Sequence, residues 1–134
     1  MTITAPIATA GYAALLGLLS VLLTIRVILH RAKHKIGAGD GGNAQLALDL
    51  RAHGNFIEQA PLALLLMLIY EAGGAPATLV HGLGVALVAA RLASAWGLSQ
   101  SQGRTKGREI GISLTLLVIA ATALLILYRL FAPA

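Results

Sequence analysis

A guanidinium, an amide and a carboxylate recur on one helical face near the middle of the chain. They belong to Arg51, Asn55 and Glu58, at positions i, i+4 and i+7, and side chains at this spacing point the same way on an α-helix. Together these groups can bind charges of both signs and can donate or accept hydrogen bonds. The spacing therefore predicts a polar binding site, with a polar network that only fixes helix packing as the alternative.

Glu58 lies at a depth where a charge is costly. The uncharged residues 59–70 separate it from Glu71. As a helix they would extend only about 18 Å, at about 1.5 Å per residue, whereas a hydrocarbon core is about 30 Å thick. A membrane span at this place must therefore include Glu58. Ionisable side chains inside a span face the bundle interior or a wet cavity, and they mark functional sites.

The composition of the chain is that of a membrane protein. Hydrophobic residues make up 57% of its 134 residues and charged residues only 11%, where a soluble domain carries about 25% charged residues. Four apolar segments, residues 5–29, 56–72, 75–96 and 110–131, occupy most of the sequence. We therefore predict an all-α integral membrane four-helix bundle, with residues 1–134 forming a single transmembrane domain.

Positive charges are concentrated in two of the three loops. The second loop, residues 71–76, has no Lys or Arg, whereas basic residues lie in or beside the first and third loops: Arg31, Lys33, Lys35, Arg51, Arg104, Lys106 and Arg108. The positive-inside rule then predicts that loops one and three are cytoplasmic and that both termini lie on the non-cytoplasmic side. Topology thus accounts for the net charge of +5, and we expect no nucleic-acid partner. The composition fits a bacterial inner membrane.

Two further charges fall inside the predicted spans. Arg26 in the first span and Arg91 in the third lie on the cytoplasmic side, at a depth similar to that of Glu58. Long cationic side chains in a membrane either reach the interface or meet a buried acid. We therefore hypothesise that Arg26, Glu58 and Arg91 share one polar cavity.

The polar motif also resembles a known family. Residues 51–61 have the pattern R-A-x-x-N-x-x-E-x-x-P at the start of the second of four helices, which is similar to the MAPEG family, the membrane-associated proteins in eicosanoid and glutathione metabolism. The spacing is most similar to the branch that includes leukotriene C synthase. Residues 91–108 carry a weaker similarity. The chain departs from that branch at Gln59 and at residues 92–98, where the branch has tyrosines that surround the bound tripeptide.

The resemblance implies a homotrimer whose protomers bind glutathione between neighbours, near the cytoplasmic face. Arg51 would bind a carboxylate of the tripeptide, and Glu58 would bind the ammonium of its γ-glutamyl end, with Asn55 beside them. Within the family an arginine near the start of the fourth helix stabilises the thiolate. The candidates for that role here are Arg104 and Arg108, with Arg31 at the end of the first helix as a third.

The same resemblance implies the reaction and the partners. The thiolate of glutathione, the co-substrate, would attack a hydrophobic electrophile or reduce a lipid hydroperoxide. The other candidate binding residues are His53, Arg91 and Arg26. Expected partners are a second copy of this chain, membrane lipids and a hydrophobic small molecule.

The sequence also allows two other functions. One is a non-catalytic lipid-binding protein of the same family. The other is a small exporter in which Glu58 alternates between protons and a lipophilic cation. Arg51 and Arg91 are evidence against the exporter, because they would keep its cavity cationic.

Two sequence patterns have simpler explanations than the sites they imitate. His30 and His34 have the i, i+4 spacing of two metal ligands, but the chain has no cysteine and the loop is cationic, so we predict no metal site. Residues 37–42 fit G-x-G-x-x-G, yet a membrane helix precedes them where a dinucleotide site needs a strand. We predict a flexible linker there, followed by a helix that Asn43 caps.

Overall fold

A computed structural model of the chain describes residues 3–100, 103 and 105–132, without the side chain of residue 99. It contains the helices α1 (Ile7–His34), α2 (Ala44–Ala72), α3 (Ala77–Gln100) and α4 (Lys106–Phe131). Each is long and apolar enough to cross a membrane. Even α3, with 24 residues, would extend about 36 Å against a hydrocarbon core of about 30 Å. The predicted all-α four-helix bundle with four candidate spans is confirmed.

The polar ends of the helices extend beyond the apolar segments. Helix α1 continues past residue 29 to His34, and Lys35 ends it in the left-handed conformation, with φ of 53°. Helix α2 begins in the polar stretch before residue 56, where the Oδ1 atom of Asn43 accepts a hydrogen bond of 2.9 Å from the backbone N–H of Leu46. The predicted N-cap is therefore confirmed, and the residue 51–61 motif lies wholly within α2.

Hydrogen bonds at one end of the bundle hold the start of α1 and the α2–α3 turn together. The carboxylate of Glu71 accepts hydrogen bonds from the backbone N–H groups of Ala8 and Thr9, at 2.9 and 2.7 Å. An acid at this place satisfies free N–H groups and interacts well with the helix dipole. Near the end of α4, Arg129 donates to the carbonyl oxygen of Gly74 at 3.2 Å. The first loop, residues 35–43, and Thr105 at the start of α4 therefore lie at the opposite end of the bundle.

Helices α3 and α4 pack closely because small residues face each other between them. A Cβ atom on Gly111 would lie 2.5 Å from the carbonyl oxygen of Ala90, and one on Gly97 would lie 2.3 Å from the backbone nitrogen of Arg108. Small residues at such crossings let membrane helices approach closely. This contact fixes the position of the first turn of α4, which carries Arg108.

A buried ion-pair cluster joins α1 to α2. The Asp49 side chain is 1% exposed, and its carboxylate accepts a 2.8 Å hydrogen bond from Arg26 and contacts Nδ1 of His30. The Gln45 amide also approaches it, at 3.5 Å. Among the described residues α1 packs against α2 and α3 but not against α4, so this cluster is a main polar attachment of α1.

We expect Asp49→Asn to lower the thermal unfolding midpoint in detergent. The change removes the charge that Arg26 and His30 contact, and hydrogen bonds to charged groups are worth about 1.5–3 kcal/mol. Because the Arg26 side chain is 44% exposed, we expect a loss of about 2 kcal/mol. Asp40→Asn makes the same chemical change in an exposed loop and should matter less. Equal midpoints for the two variants would contradict this role of Asp49.

Candidate functional site

An open groove of about 590 Å³ lies at the loop-one and loop-three end of the bundle. One face of α2 forms a wall of this groove, because residues three and four apart align along a helix. Helix α3 contributes Leu98, α4 contributes Arg108 and the first loop contributes Asp40. The α2 residues that line it are Ala47, Leu48, Leu50, Arg51, Gly54, Asn55 and Glu58. The structure thus brings the three motif residues together on one groove wall.

The charged side chains of the groove are available to a ligand. Arg51 and Glu58 are exposed and Arg108 is half-buried. Within the described part of the chain, the side chains of these three residues make no hydrogen bond or ion pair. Asp40 supplies a second carboxylate, whose Oδ1 accepts a 2.9 Å hydrogen bond from the backbone N–H of Gly42. The groove therefore presents two guanidinium groups and two carboxylates to whatever enters it.

Asn55 differs from these residues because its amide is already bound on one side. Its Oδ1 accepts a hydrogen bond of 2.5 Å from Arg91, a residue of α3 that is 1% exposed. The same guanidinium donates to Thr115 at 3.3 Å and to Gln59 at 3.4 Å, and it lies 5.7 Å from the ring centre of Phe56. Arg91 therefore lies behind the groove wall, bound to amide and hydroxyl oxygens.

The first turn of α4 holds Arg108 at the edge of the groove. Thr105 caps α4, since its Oγ1 accepts a hydrogen bond from the backbone N–H of Arg108 at 3.3 Å. The same hydroxyl donates to the carbonyl oxygen of Gly97 at 3.1 Å. Arg104, the other predicted thiolate-binding arginine of this segment, lies outside the described residues. Arg108 is the described candidate that the structure places in the groove.

The hypothesis of one cavity shared by Arg26, Glu58 and Arg91 is wrong. Arg26 binds Asp49 between α1 and α2, Arg91 binds Asn55 behind the groove, and Glu58 faces the groove itself. The sequence placed the three residues at similar depth, but depth does not fix the direction in which each helix face points.

Two other predicted residues lie away from the groove wall. Arg31 donates a 2.8 Å hydrogen bond to the carbonyl oxygen of Gly37, which ties the end of α1 to the first loop. His53 is half-buried and is not among the residues that line the groove. Neither is brought to Arg51, Asn55 and Glu58 within this chain.

Sequence reasoning missed three polar residues that matter to this region. Asp40 was assigned to a flexible linker, yet it lines the groove. Asp49 was not singled out, although an acid in α2 within reach of two basic residues in α1 was a usable signal. Gln59 was noted only as a departure from tyrosine, and in the structure it accepts a hydrogen bond from Arg91.

A shallow apolar furrow continues from the groove along α4. Arg108 lines both the groove and the first part of this furrow, about 460 Å³ in volume, together with Glu109, Ile112 and Ser113. A further part, of about 420 Å³, follows Ser113 and is lined mainly by apolar side chains, among them Leu114 and Leu117. Charged and apolar surfaces therefore meet at Arg108.

The described residues include no group of three or more His, Cys, Asp or Glu side chains placed to hold a metal ion. His30 and His34 have ring centres 6.5 Å apart. His30 contacts the carboxylate of Asp49.

Most of this chain is similar in sequence to known proteins. Residues 9–128 match the MAPEG family. The chain is 36% identical over 107 residues to the inner membrane protein YecN of Escherichia coli strain K12, an alignment that covers 80% of each protein. The corresponding YecN protein of strain O6:H1 gives the same identity and coverage. With its four spanning helices, this chain is an integral membrane protein.

Proposed function

Because the chain belongs to the MAPEG family, we propose that it is a membrane-bound, glutathione-dependent transferase or peroxidase acting on hydrophobic electrophiles or lipid hydroperoxides. The observation that carries this proposal is the groove lined by Arg51, Asn55, Glu58 and Arg108. Glutathione has two carboxylates, one ammonium group and one thiol, and the groove offers partners for each kind of charge.

The proposed binding follows from the charges. Arg51 forms a bidentate pair with a carboxylate of the tripeptide, because a planar guanidinium matches carboxylate geometry. Glu58 accepts hydrogen bonds from the ammonium group of the γ-glutamyl residue. Asn55 lies between them on the same helical face and binds the tripeptide backbone or a carboxylate.

In this proposal Arg108 acts on the thiol. A guanidinium beside a thiol favours the thiolate, which is the nucleophilic form. The furrow along α4 begins at Arg108, so it can hold the apolar part of the second substrate next to the sulfur. Arg104 remains the alternative residue for this role.

The proposed reaction needs only glutathione and the hydrophobic substrate. In a transfer, the thiolate sulfur forms a bond to an electrophilic carbon, and the leaving group or opened ring takes the electron pair and then a proton. In a reduction, two glutathione molecules convert one hydroperoxide into an alcohol and water, and the two sulfur atoms form a disulfide. The membrane supplies the hydrophobic substrate.

We further propose a homotrimer with its loops one and three in the cytoplasm. In a single chain Glu58 is exposed at a depth where charge is costly. A neighbouring protomer would cover the groove and exclude lipid from it. The first loop and the first turn of α4 lie at one end of the bundle with Arg31, Lys33, Lys35, Lys106 and Arg108, which supports a cytoplasmic location for that end.

Glutathione binding to the detergent-purified protein, measured by calorimetry, tests the proposal. We expect saturable binding of glutathione and at least tenfold weaker binding of cysteinylglycine, because that dipeptide lacks the γ-glutamyl carboxylate. Ultraviolet absorbance should show that the bound tripeptide is a thiolate near pH 7, and Arg108→Ala should lose this absorbance while it still binds glutathione. Lys33→Met removes an exposed basic side chain outside the groove and should change neither result.

The outcomes separate the candidate functions. No binding at millimolar glutathione would contradict the proposal and favour the non-catalytic lipid-binding protein or the exporter. Binding without a thiolate signal would favour a protein that holds the tripeptide without activating it.

A further inference from the structure

The most buried cation of the described chain has no acid against it. Arg91 is 1% exposed, and its described hydrogen-bond partners are the oxygen atoms of Asn55, Gln59 and Thr115. Its Nε atom has no partner there. Burying a charge without a counter-ion is costly, especially in a membrane. A cost of this kind points to a role beyond packing.

The contact with Asn55 determines which groups that residue shows to the groove. A guanidinium carries only donors, so the amide must turn its oxygen toward Arg91. The Oδ1 atom of Asn55 accepts this hydrogen bond from a charged donor, and charge-assisted hydrogen bonds are stronger than neutral ones. If the amide flipped, its NH₂ group would face the donors of Arg91. The NH₂ group of Asn55 is therefore left as the part of the amide available to the groove.

Other contacts keep the guanidinium in this orientation. Thr115 accepts from Arg91 while its own hydroxyl donates to the carbonyl oxygen of Gly111, at 2.8 Å. Since this hydroxyl donates elsewhere, it can only accept from Arg91. Phe56 lies against the guanidinium at 5.7 Å, a cation–π distance. Arg91 is thus held by side chains from α2 and α4, and it faces Asn55 as a fixed donor.

We infer that Arg91 is a positioning residue that makes Asn55 a donor-only group and thereby selects a hydrogen-bond acceptor, a carbonyl or carboxylate oxygen of the ligand, at that point of the groove. This inference rests on the proposed glutathione site. Arg91 does not touch the ligand; it acts through the amide. The positive charge behind the amide also polarises its N–H groups, which strengthens their bonds to an anionic oxygen.

A double-mutant cycle tests this coupling through glutathione affinity. Asn55→Ala should weaken binding about tenfold through the lost hydrogen bond. Arg91→Met should weaken it by at least about twofold, because only about half of the released amides would then turn their NH₂ group to the groove, and by more because the charge that polarises those N–H groups is gone. When both changes are combined, the loss should stay near that of Asn55→Ala alone. Additive losses would overturn the inference, because they would mean that the two residues act independently.

A second variant separates positioning from structural support. Asn55→Asp keeps an acceptor facing Arg91 and adds an ion pair, so the thermal unfolding midpoint should hold or rise. It removes both donors from the groove, so glutathione affinity should fall about thirtyfold or more. If Asn55 only satisfied Arg91, this variant would bind as well as the wild type, and the inference would fail.

Two further measurements identify the cause of any failure. Thr122→Val deletes a buried hydroxyl in the second half of α4, away from the groove, where Thr122 donates to the carbonyl oxygen of Val118 at 2.7 Å. This change should leave affinity unchanged. If the wild type itself does not bind glutathione, the proposed function falls and the inference falls with it. If the wild type binds and Arg91→Met binds equally well, the inference alone is overturned.

Discussion

Glu58→Gln and Arg51→Ala are each expected to weaken glutathione binding by about thirtyfold or more. Both residues line the groove, and neither side chain has a partner in the described structure to compete with the ligand. Removing one member of a desolvated ion pair costs about 2–5 kcal/mol, because the other charge is left unpaired. Calorimetry on the detergent-purified variants measures the change, with Lys33→Met as the control for loss of a charge elsewhere.

A modified ligand tests whether Glu58 binds the ammonium group of glutathione. Glutaryl-cysteinylglycine is glutathione without its amino group, and the wild type should bind it much more weakly than glutathione. In Glu58→Gln this preference should largely disappear, since the carboxylate that recognises the ammonium is gone. Equal preference in the two proteins would exclude Glu58 from that contact while leaving the groove itself as a binding site.

Gly111→Ala is expected to destabilise the bundle by about 3 kcal/mol or more. A Cβ atom there would lie 2.4 Å from Oγ of Ser94 and 2.5 Å from the carbonyl oxygen of Ala90, so α3 and α4 must separate. Overpacking of this kind costs about 1–3 kcal/mol and sometimes more. The thermal unfolding midpoint in detergent should fall. Glutathione affinity should fall with it, because α4 carries Arg108 and Thr115.

The matched control is a glycine of α3 with free space around it. A Cβ atom on Gly82 would meet nothing within 4 Å, so Gly82→Ala makes the same chemical change without a clash. Its midpoint should equal or slightly exceed that of the wild type, because alanine favours a helix more than glycine does. If Gly111→Ala were as stable as Gly82→Ala, the close approach of α3 and α4 would not be needed for the fold.

The groove wall on α2 could be predicted because it depends on one helix. Arg51, Asn55 and Glu58 share a face whenever residues 44–72 are helical, and the apolar length of the segment requires that helix in a membrane. The role of Asp40 could not be predicted in the same way. Its position depends on how a glycine-rich loop folds back over α2, and such a loop has many allowed conformations.

The sequence by itself determined the membrane class, the four spanning helices and the three motif residues on one face of α2. Hydropathy, helix length and helical spacing are local properties, so they can be inferred from the amino-acid sequence alone. Tertiary structure decided the surroundings of the three charged residues inside the spans, Arg26, Glu58 and Arg91. Arg26 pairs with Asp49 and Arg91 with Asn55, while Glu58 is left to the groove. That pairing depends on how each helix is rotated about its axis, and rotation is set by packing between helices. Between α3 and α4, Gly97 packs against the first turn of α4, and Gly111 packs against Ala90 and Ser94.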